Sequence, residues 1–192
     1  MPRPSQANQK RRDLLPVVAR AFAELGYRRT TTAELAARCK VQENILYRLW
    51  PDKKAMFIAA IDYVYELSAR TWVGLLTGAT SGSAAEKLLK YEARHLGEFG
   101  HSRIIFAGLS ETDDPDIRRA LSRMYKHYQT FVVDQVGAHR AARGQKKRAD
   151  LALTAWAFVG LGTVASIARE LDLLSERERA RLMTQIGKQL LG

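Results

Sequence analysis

The side chains best equipped for chemistry lie between residues 31 and 53, and they are hydrogen-bonding groups rather than a catalytic set. Three of them are consecutive: Gln42, Glu43 and Asn44. The carboxamide of Asn or Gln can form two hydrogen bonds with adenine, and a Glu carboxylate can accept one from the amino group of cytosine. This triplet therefore suits the edges of base pairs in the major groove of double-stranded DNA.

A second set of side chains surrounds this triplet and suits phosphate groups. Hydroxyl, ammonium and guanidinium groups donate hydrogen bonds to phosphate oxygens, which fixes the register of a protein on DNA without reading its sequence. Two alternatives stay open, since the Tyr47 ring could pack beneath its own helix and Arg48 could be a solvated surface cation. The predicted phosphate-binding set consists of Thr31, Thr32, Tyr47, Arg48 and Lys53.

These side chains need a compact scaffold, and the local sequence predicts one. A capping-box pattern at Thr31 starts a short helix over about 33–39, and a second short helix follows over 43–50. Before them, apolar residues three and four positions apart predict a longer helix over about 9–25, which Gly26 ends. Two short helices that rest on a longer one form a helix-turn-helix, whose second helix enters the major groove.

Two details of this segment have more than one interpretation. The apolar side of the second short helix contains either Ile45 or Leu46. In the first helix, Asp13 as the N-cap would place Pro16 in the first turn, where its missing N–H costs nothing. Otherwise the helix begins nearer Gln9 and kinks at the proline.

The rest of the chain is also helical in pattern. Capping boxes at Ser83 and Ser175 and the Asp-Pro pair at 114–115 mark three further helix starts. No run of alternating β-branched residues indicates a strand. We predict an all-α protein of about nine helices, with a three-helix helix-turn-helix domain in 1–54 and a larger helical domain in 55–192. The remaining helices are predicted over 53–76, 83–99, 103–109, 115–137, 147–171 and 176–190.

The charge distribution favours a polyanionic partner. The chain has 31 Lys and Arg against 20 Asp and Glu, a formal net charge of +11. The first 60 residues hold 12 of the basic and 5 of the acidic side chains, so most of the excess accompanies the predicted DNA-reading helix. A solubilising basic surface is the alternative, and the basic run at 10–12 is either a DNA-contacting arm or a charged tail.

Composition argues against several other classes of protein. The polar N-terminus lacks the apolar stretch of a secretory signal, and we find no window of eighteen or more uncharged apolar residues. We therefore expect a cytoplasmic protein without a membrane span. The single cysteine, Cys39, excludes an internal disulfide and suits a small core position.

No catalytic residue, metal or cofactor is predicted, and we do not expect an enzyme. The four histidines lie far apart, and zinc-ligand spacings are absent. Gly160 to Ala165 formally matches a dinucleotide-binding fingerprint but follows a helical pattern instead of a strand, so close helix packing explains it. Asp113, Asp114 and Asp116 are explained as residues that start a helix.

The helix-turn-helix segment resembles a known family. Residues 22–27, 30–36, 41 and 46–56 follow the pattern of the DNA-binding domain of the TetR family of transcriptional repressors. This resemblance implies a homodimeric regulator that binds a palindromic operator in double-stranded DNA and leaves it when a small effector binds. The alternative is a helical DNA-organising or interaction protein that has no small-molecule effector.

Three residues depart from the family pattern. The family commonly has Gly, Ser and Thr where this chain has Lys40, Gln42 and Ile45. Lys40 must either take a left-handed conformation, at a cost of about 1 kcal/mol, or form another turn. Ile45 removes a hydroxyl that often contacts phosphate. We therefore expect the fold to persist and the operator sequence to be unusual.

The resemblance also implies a cavity for a small, mostly apolar effector in the larger domain. Such cavities are lined by aromatic side chains with a few polar groups. The same aromatic residues could equally form a plain packed core. The predicted effector-binding residues are Trp72, Tyr91, His95, Phe99, Phe106, Tyr125, Tyr128 and Trp156.

The last two helices are expected to form a two-fold dimer interface. The helix over 147–171 has two apolar stripes, of which the second contains Trp156, Val159, Thr163 and Ile167. A helix that is apolar on two sides must bury both, and one side can face a second copy of the chain. The interface residues predicted from the first stripe and the last helix are Leu151, Ala155, Phe158, Gly162, Leu182, Ile186 and Leu190.

Overall fold

The secondary structure is helical throughout the part of the chain that the computed structural model describes, which comprises residues 6–77, 83–97, 100, 102–145 and 150–192. The predicted all-α class and the count of nine helices are confirmed for these residues. The helices are α1 (Gln6–Arg29), α2 (Thr32–Cys39), α3 (Glu43–Leu49), α4 (Lys53–Leu76), α5 (Ala84–His95), α6 (Ser102–Leu109), α7 (Pro115–Ala142), α8 (Leu151–Glu170) and α9 (Glu176–Leu191).

The first helix is longer than predicted at both ends. It begins at Gln6, so the basic run at 10–12 belongs to a helix instead of an arm or tail, and Pro16 is an exposed interior residue. Gly26 interrupts the helix with φ 75° and ψ 169°, a backbone conformation that only glycine adopts without strain. The predicted end at Gly26 is therefore a kink, after which helical residues continue to Arg29.

The described chain packs as two compact units. The first unit contains residues 1–67 and 99–124, and the second contains residues 68–98 and 125–192. Each unit therefore combines two separate stretches of the sequence. The predicted division into a DNA-binding domain, 1–54, and a larger domain, 55–192, stays a prediction.

The first unit is built around fully buried apolar side chains from α1 to α4. Phe22 of α1 contacts Phe57 of α4 edge to face, with the ring centroids 4.9 Å apart. Leu35 of α2 and Leu46 of α3 are also fully buried. Because each helix contributes a large side chain to one core, the orientation of α3 is set by its packing on α1 and α2.

The second unit holds two small cores, one formed by α5, α7 and α9 with α8 packed against it, and the other formed by α5, α8 and α9. One contains Ala85, Leu89, Val136 and Leu191, and the other contains Ala93, Leu161, Ala165 and Met183. Helix α9 approaches α5 closely at Gly187, where a Cβ atom would lie 2.4 Å from Cδ1 of Leu89. A larger residue at this position would require the Leu89 side chain to move.

The predicted dimer stripe of α8 packs partly within its own chain, and its place in a dimer interface stays a prediction. Leu151 and Phe158 pack against the first of these cores, Ala155 has no exposed surface, and a Cβ on Gly162 would lie 3.9 Å from Leu96. Leu182 and Leu190 of α9 pack against the second core. Both stripes of α8 are apolar, and the contacts with α5 and α9 decide which one turns inwards.

The outward face of α8 is also apolar. Leu153, Trp156, Val164 and Ile167 are 68%, 45%, 55% and 38% exposed, and Ile186 of α9 is exposed as predicted for an interface residue. An 18-residue window of this helix has a mean hydropathy of 1.8, which makes α8 long and apolar enough to cross a membrane by length and composition. Gly, Thr and Ser interrupt its apolar run without adding charge, and the absence of a membrane span stays an expectation.

The second unit contains a buried histidine. His139 is 3% exposed, and its Nδ1 lies 2.7 Å from the hydroxyl of Ser83, the N-cap of α5. Burial lowers the pKa of His139, the nearby Arg143 and Arg140 lower it further, and Glu86 opposes them. Which of the two atoms donates depends on the tautomer of the ring, and protonation would place a positive charge in this buried setting beside two arginines.

We expect the free energy of unfolding to fall as the pH drops below about 6.5, the pKa of an unfolded histidine. The folded-state pKa lies below that value, so the unfolded chain binds the proton first, and the stabilisation is complete only at higher pH. Thermal unfolding between pH 5 and 8 measures this loss. His139→Asn keeps an acceptor for Ser83 and should flatten the profile. An unchanged profile in that variant would assign the acid sensitivity to other groups.

Candidate nucleic-acid interface

The turn between α2 and α3 is built by a left-handed lysine. Lys40 has φ 54° and ψ 44°, and its N–H donates to the carbonyl of Ala37 at 3.1 Å. The next N–H, that of Val41, donates to the carbonyl of Ala36 at 3.0 Å. Of the two turns open to Lys40, the chain adopts the left-handed one, because these backbone bonds offset a cost of about 1 kcal/mol.

The third helix presents a polar N-terminal end above an apolar underside. Leu46 and Leu49 are buried, as is the C-cap residue Trp50, whereas Ile45 is only half-buried. Leu46 is therefore the anchor that the sequence alone could not distinguish from Ile45. Anchoring one side of so short a helix leaves its opposite side facing solvent.

The predicted base-reading side chains lie on that exposed side. Gln42, Glu43 and Asn44 are exposed, and Gln42 occupies the N-cap position without forming a side-chain cap. Arg48 is exposed one turn further along. No side-chain hydrogen bond or ion pair joins these four residues to other described parts of the chain, so their polar groups are available to a ligand.

Two predicted phosphate contacts come together across the helix pair. The Tyr47 hydroxyl donates to Oγ1 of Thr32 at 3.1 Å, and the Tyr47 side chain is 48% exposed, so its ring does not pack beneath the helix. Thr31 is the N-cap of α2, and its Oγ1 accepts the backbone N–H of Glu34 at 3.1 Å. The start of α2 thus offers hydroxyls and a helix dipole where a phosphate could lie.

Lys53 has a structural role that the sequence did not predict. Its ammonium donates to the carbonyls of Tyr27 and Thr30, at 3.1 and 3.0 Å, and lies 4.5 Å from the centroid of the Tyr27 ring. Two of its three N–H groups are therefore used to join the start of α4 to the end of α1. Substitution of Lys53 would remove these contacts as well as any phosphate contact.

The basic run at 10–12 in α1 also forms contacts that stabilise the helix-turn-helix. Arg11 donates to the carbonyl of Leu49, and its guanidinium lies 5.7 Å from the centroid of the Trp50 ring. Arg12 donates to the side chain of Gln9 at 2.8 Å. Arg11 therefore stabilises the C-terminal end of α3, a role that depends on contacts 38 residues apart in the sequence.

A second lysine at the start of α4, missed in the sequence analysis, binds two carboxylates. The Lys54 ammonium lies 3.1 Å from Asp114 and 2.8 Å from Asp116 at the start of α7. These hydrogen bonds raise the pKa of Lys54 and lower the pKa of both carboxyl groups. Asp114 also accepts the backbone N–H groups of Asp116 and Ile117, as its predicted position at a helix start requires.

Two of the predicted effector-binding residues, Trp72 and Tyr128, belong to an aromatic cluster in the second unit. Trp72 stacks on Phe131 with centroids 4.4 Å apart and meets Tyr128 edge to face at 5.7 Å. Its indole N–H donates to Glu92 at 2.6 Å. Burial raises the pKa of Glu92, against the effects of the indole and His95. Phe131 and Glu92 were not among the predicted effector-binding residues.

The other predicted effector residues are dispersed. Tyr91 and His95 contact each other on α5, with ring centroids 4.5 Å apart, and the Tyr125 hydroxyl bonds to Thr163. Trp156 is on the exposed face of α8. Phe106 belongs to the first unit, and Phe99 lies outside the described residues.

The described residues contain no group of three or more His, Cys, Asp or Glu side chains that could hold a metal ion. Cys39 is buried in the first unit, where burial raises the pKa of its thiol. A neutral, enclosed thiol suits the predicted core position.

Comparison with known proteins relates this helix arrangement to a family of regulators. The family model described as bacterial regulatory proteins, tetR family, matches residues 15–60. A curated relative, the uncharacterized HTH-type transcriptional regulator YuxN of Bacillus subtilis (strain 168), is 26% identical over 76 residues. That alignment covers 40% of this chain and 25% of the relative, so it spans only a quarter of the relative's length.

Two solved structures extend the likeness to almost the whole fold. The TetR-family transcriptional regulator from Cytophaga hutchinsonii superimposes with a TM-score of 0.80 at 15% identity, covering 98% of this chain and 96% of that one. The regulator FadR from Bacillus subtilis, solved with stearoyl-CoA, gives 0.72 at 13% identity over 94% and 97%. The helix-turn-helix geometry and the family match lead to one conclusion: residues 15–60 are similar to the DNA-binding segment of the tetR family of bacterial regulatory proteins.

Proposed function

We propose that the chain is a transcriptional regulator that reads an operator in double-stranded DNA through the N-terminal end of α3. The observation that carries this proposal is the exposed triplet Gln42, Glu43 and Asn44, whose polar groups have no partner in the described chain. Buried Leu46 and the left-handed Lys40 hold this triplet in one orientation. A rigid, outward-facing set of amide and carboxylate groups is what direct readout in the major groove requires.

Phosphate contacts supply the sequence-independent part of the proposed affinity. Arg48, Thr31, Thr32 and Tyr47 are the candidates on the exposed side of α2 and α3. Lys53 contributes through its one remaining N–H. Arg48 is the sharpest test, because it has no other described partner and its substitution leaves the fold contacts in place.

Arg48→Gln should weaken binding to all DNA sequences by a similar factor. Loss of one phosphate contact should reduce the slope of log affinity against log salt by about 0.9. Fluorescence anisotropy with an operator and a scrambled duplex, between 50 and 300 mM salt, measures both effects. Arg177→Gln removes the same charge from an exposed site on α9 and is the matched control. Equal slopes for Arg48→Gln and the wild type would contradict a phosphate contact.

We further propose that two copies associate through the outward face of α8 and part of α9. Leu153, Trp156, Val164 and Ile167 offer a continuous apolar stripe, and Ile186 extends it onto α9. Two reading helices about 34–36 Å apart would match successive major-groove faces of a palindromic operator. Burial of this stripe in a dimer would also explain the apolar character of α8 in a cytoplasmic protein.

The proposed effector is a lipophilic or aromatic molecule that binds at the aromatic cluster of the second unit. Trp72, Tyr128 and Phe131 provide stacking surface, and Glu92 provides one polar group in a desolvated setting. FadR from Bacillus subtilis, which shares the fold, was solved with stearoyl-CoA. Effector and operator would weaken each other's binding reciprocally, by about 1–3 kcal/mol if the coupling is typical of allosteric proteins.

A thermal-shift screen tests the effector proposal. Lipophilic and planar aromatic compounds, with long-chain acyl-CoA esters among them, are added to the wild-type protein. At least one class should raise the unfolding temperature and weaken operator binding about 5- to 150-fold. Phe131→Leu should reduce the shift. Failure of every class, with operator binding intact, would favour a DNA-organising protein without an effector.

A further inference from the structure

A second site is suggested by a polar cavity between the ends of α5 and α8 and the start of α9. The cavity has a volume of about 180 Å³ and lies entirely within the second unit. Three arginines and two glutamates line it, together with apolar residues that include Ala165 and Met183. The charged residues are Arg94, Arg169, Arg179, Glu92 and Glu176.

Two of the arginines are held in place by backbone carbonyl groups. Nη1 of Arg169 donates to the carbonyl of Leu96 at 3.2 Å, and Nη1 of Arg179 donates to the carbonyl of Leu174. Each bond uses one of the five N–H donors of a guanidinium and leaves the others available. The groups are thus oriented in advance, which lowers the entropy cost of binding a ligand.

None of the three guanidiniums is paired with a carboxylate among the described residues. Glu92 lines the cavity but accepts the indole N–H of Trp72, and Glu176 is exposed in the first turn of α9, where the helix dipole favours its charge. The cavity therefore keeps an excess of positive charge. Burial raises the pKa of Glu92, which weakens its opposition to an incoming anion.

We propose that this cavity binds a small anion whose carboxylate or phosphate group is held by Arg169 and Arg179, with Arg94 at the third position. The planar fork of a guanidinium matches both oxyanions and can donate two parallel hydrogen bonds. Ala165 and Met183 provide contact for a short carbon skeleton. This site differs in chemistry from the proposed lipophilic effector site, and it does not depend on DNA binding.

Isothermal titration with inorganic phosphate and with succinate tests the proposal, at ionic strength held constant with sodium chloride. The wild type should bind at least one probe with one dominant site. Arg169→Gln and Arg179→Gln should each weaken that binding by about tenfold or more, since each loses a charge-assisted hydrogen bond. Arg181→Gln, which removes an exposed charge two residues from Arg179, should change the affinity less than about twofold.

Two results would overturn the proposal. One is the absence of binding beyond a sodium chloride reference for both probes. The other is an equal loss in Arg181→Gln, which would mean that net charge alone attracts the anion. If Arg179→Gln unfolds by circular dichroism, Arg179→Lys replaces it: lysine keeps the charge but not the fork, so binding should still weaken about threefold or more. Unchanged binding in Arg179→Lys would also contradict the site.

Discussion

Replacing Val164 with aspartate should convert the protein to a monomer and weaken operator binding by at least about a hundredfold. Val164 is 55% exposed at the centre of the outward stripe of α8. Two copies of a charged side chain would then face an apolar interface, where desolvation of an unpaired carboxylate is costly. A monomer carries a single DNA-reading helix, so it loses the increase in affinity of about 10²- to 10⁴-fold that two linked binding sites provide.

Analytical ultracentrifugation at micromolar protein gives the oligomeric state, and anisotropy with the operator gives the affinity. Thr130→Asp, a charge added to an exposed position of α7 in the same unit, is the control and should remain dimeric. If Val164→Asp sediments as a dimer with unchanged operator affinity, the outward face of α8 is not the interface.

Replacing Asn44 with alanine should change which base pair is preferred at one position of each half-site. The Asn44 carboxamide is exposed beside Gln42 and Glu43 at the start of α3, and a bidentate contact with a base contributes about 1–3 kcal/mol of discrimination. Affinity for the operator should therefore fall about 5- to 150-fold. Affinity for a duplex already altered at that position should change little.

Binding curves for the operator and its three single-base variants at each position measure this effect. Gln185→Ala removes an exposed carboxamide from α9 and should leave all the curves unchanged. The unfolding temperature of Asn44→Ala should match the wild type, since the side chain has no described partner. A uniform loss on every duplex would assign Asn44 to phosphate and contradict base reading.

The elements that the sequence predicted best are those with local causes. The capping boxes at Ser83 and Ser175 both form, with reciprocal bonds to Glu86 and Glu178. The turn at Lys40 and the exposed triplet before Leu46 also follow from short-range rules. Local patterns succeed here because a cap or turn is determined by residues three or four positions apart.

The predictions that needed correction depended on distant contacts. Lys53 binds carbonyl groups 23 and 26 residues away, so its structural role could not be predicted from its position at the start of α4. The inward stripe of α8 packs with residues of other helices, among them Leu89 of α5 and Met183 of α9. Glu92 joined the aromatic cluster through the Trp72 indole, 20 residues away. Sequence periodicity shows that a face is apolar, but not which neighbour covers it.

Selection of bound duplexes from a random DNA library tests the central proposal most directly. The wild type should enrich a palindrome whose two half-sites are centred about one helical turn apart, and Asn44→Ala should shift the preference at one position in each half. Arg48→Gln should recover the same palindrome at lower yield. Enrichment of no sequence, or of a sequence that is indifferent to changes at Gln42, Glu43 and Asn44, would show that α3 does not read DNA.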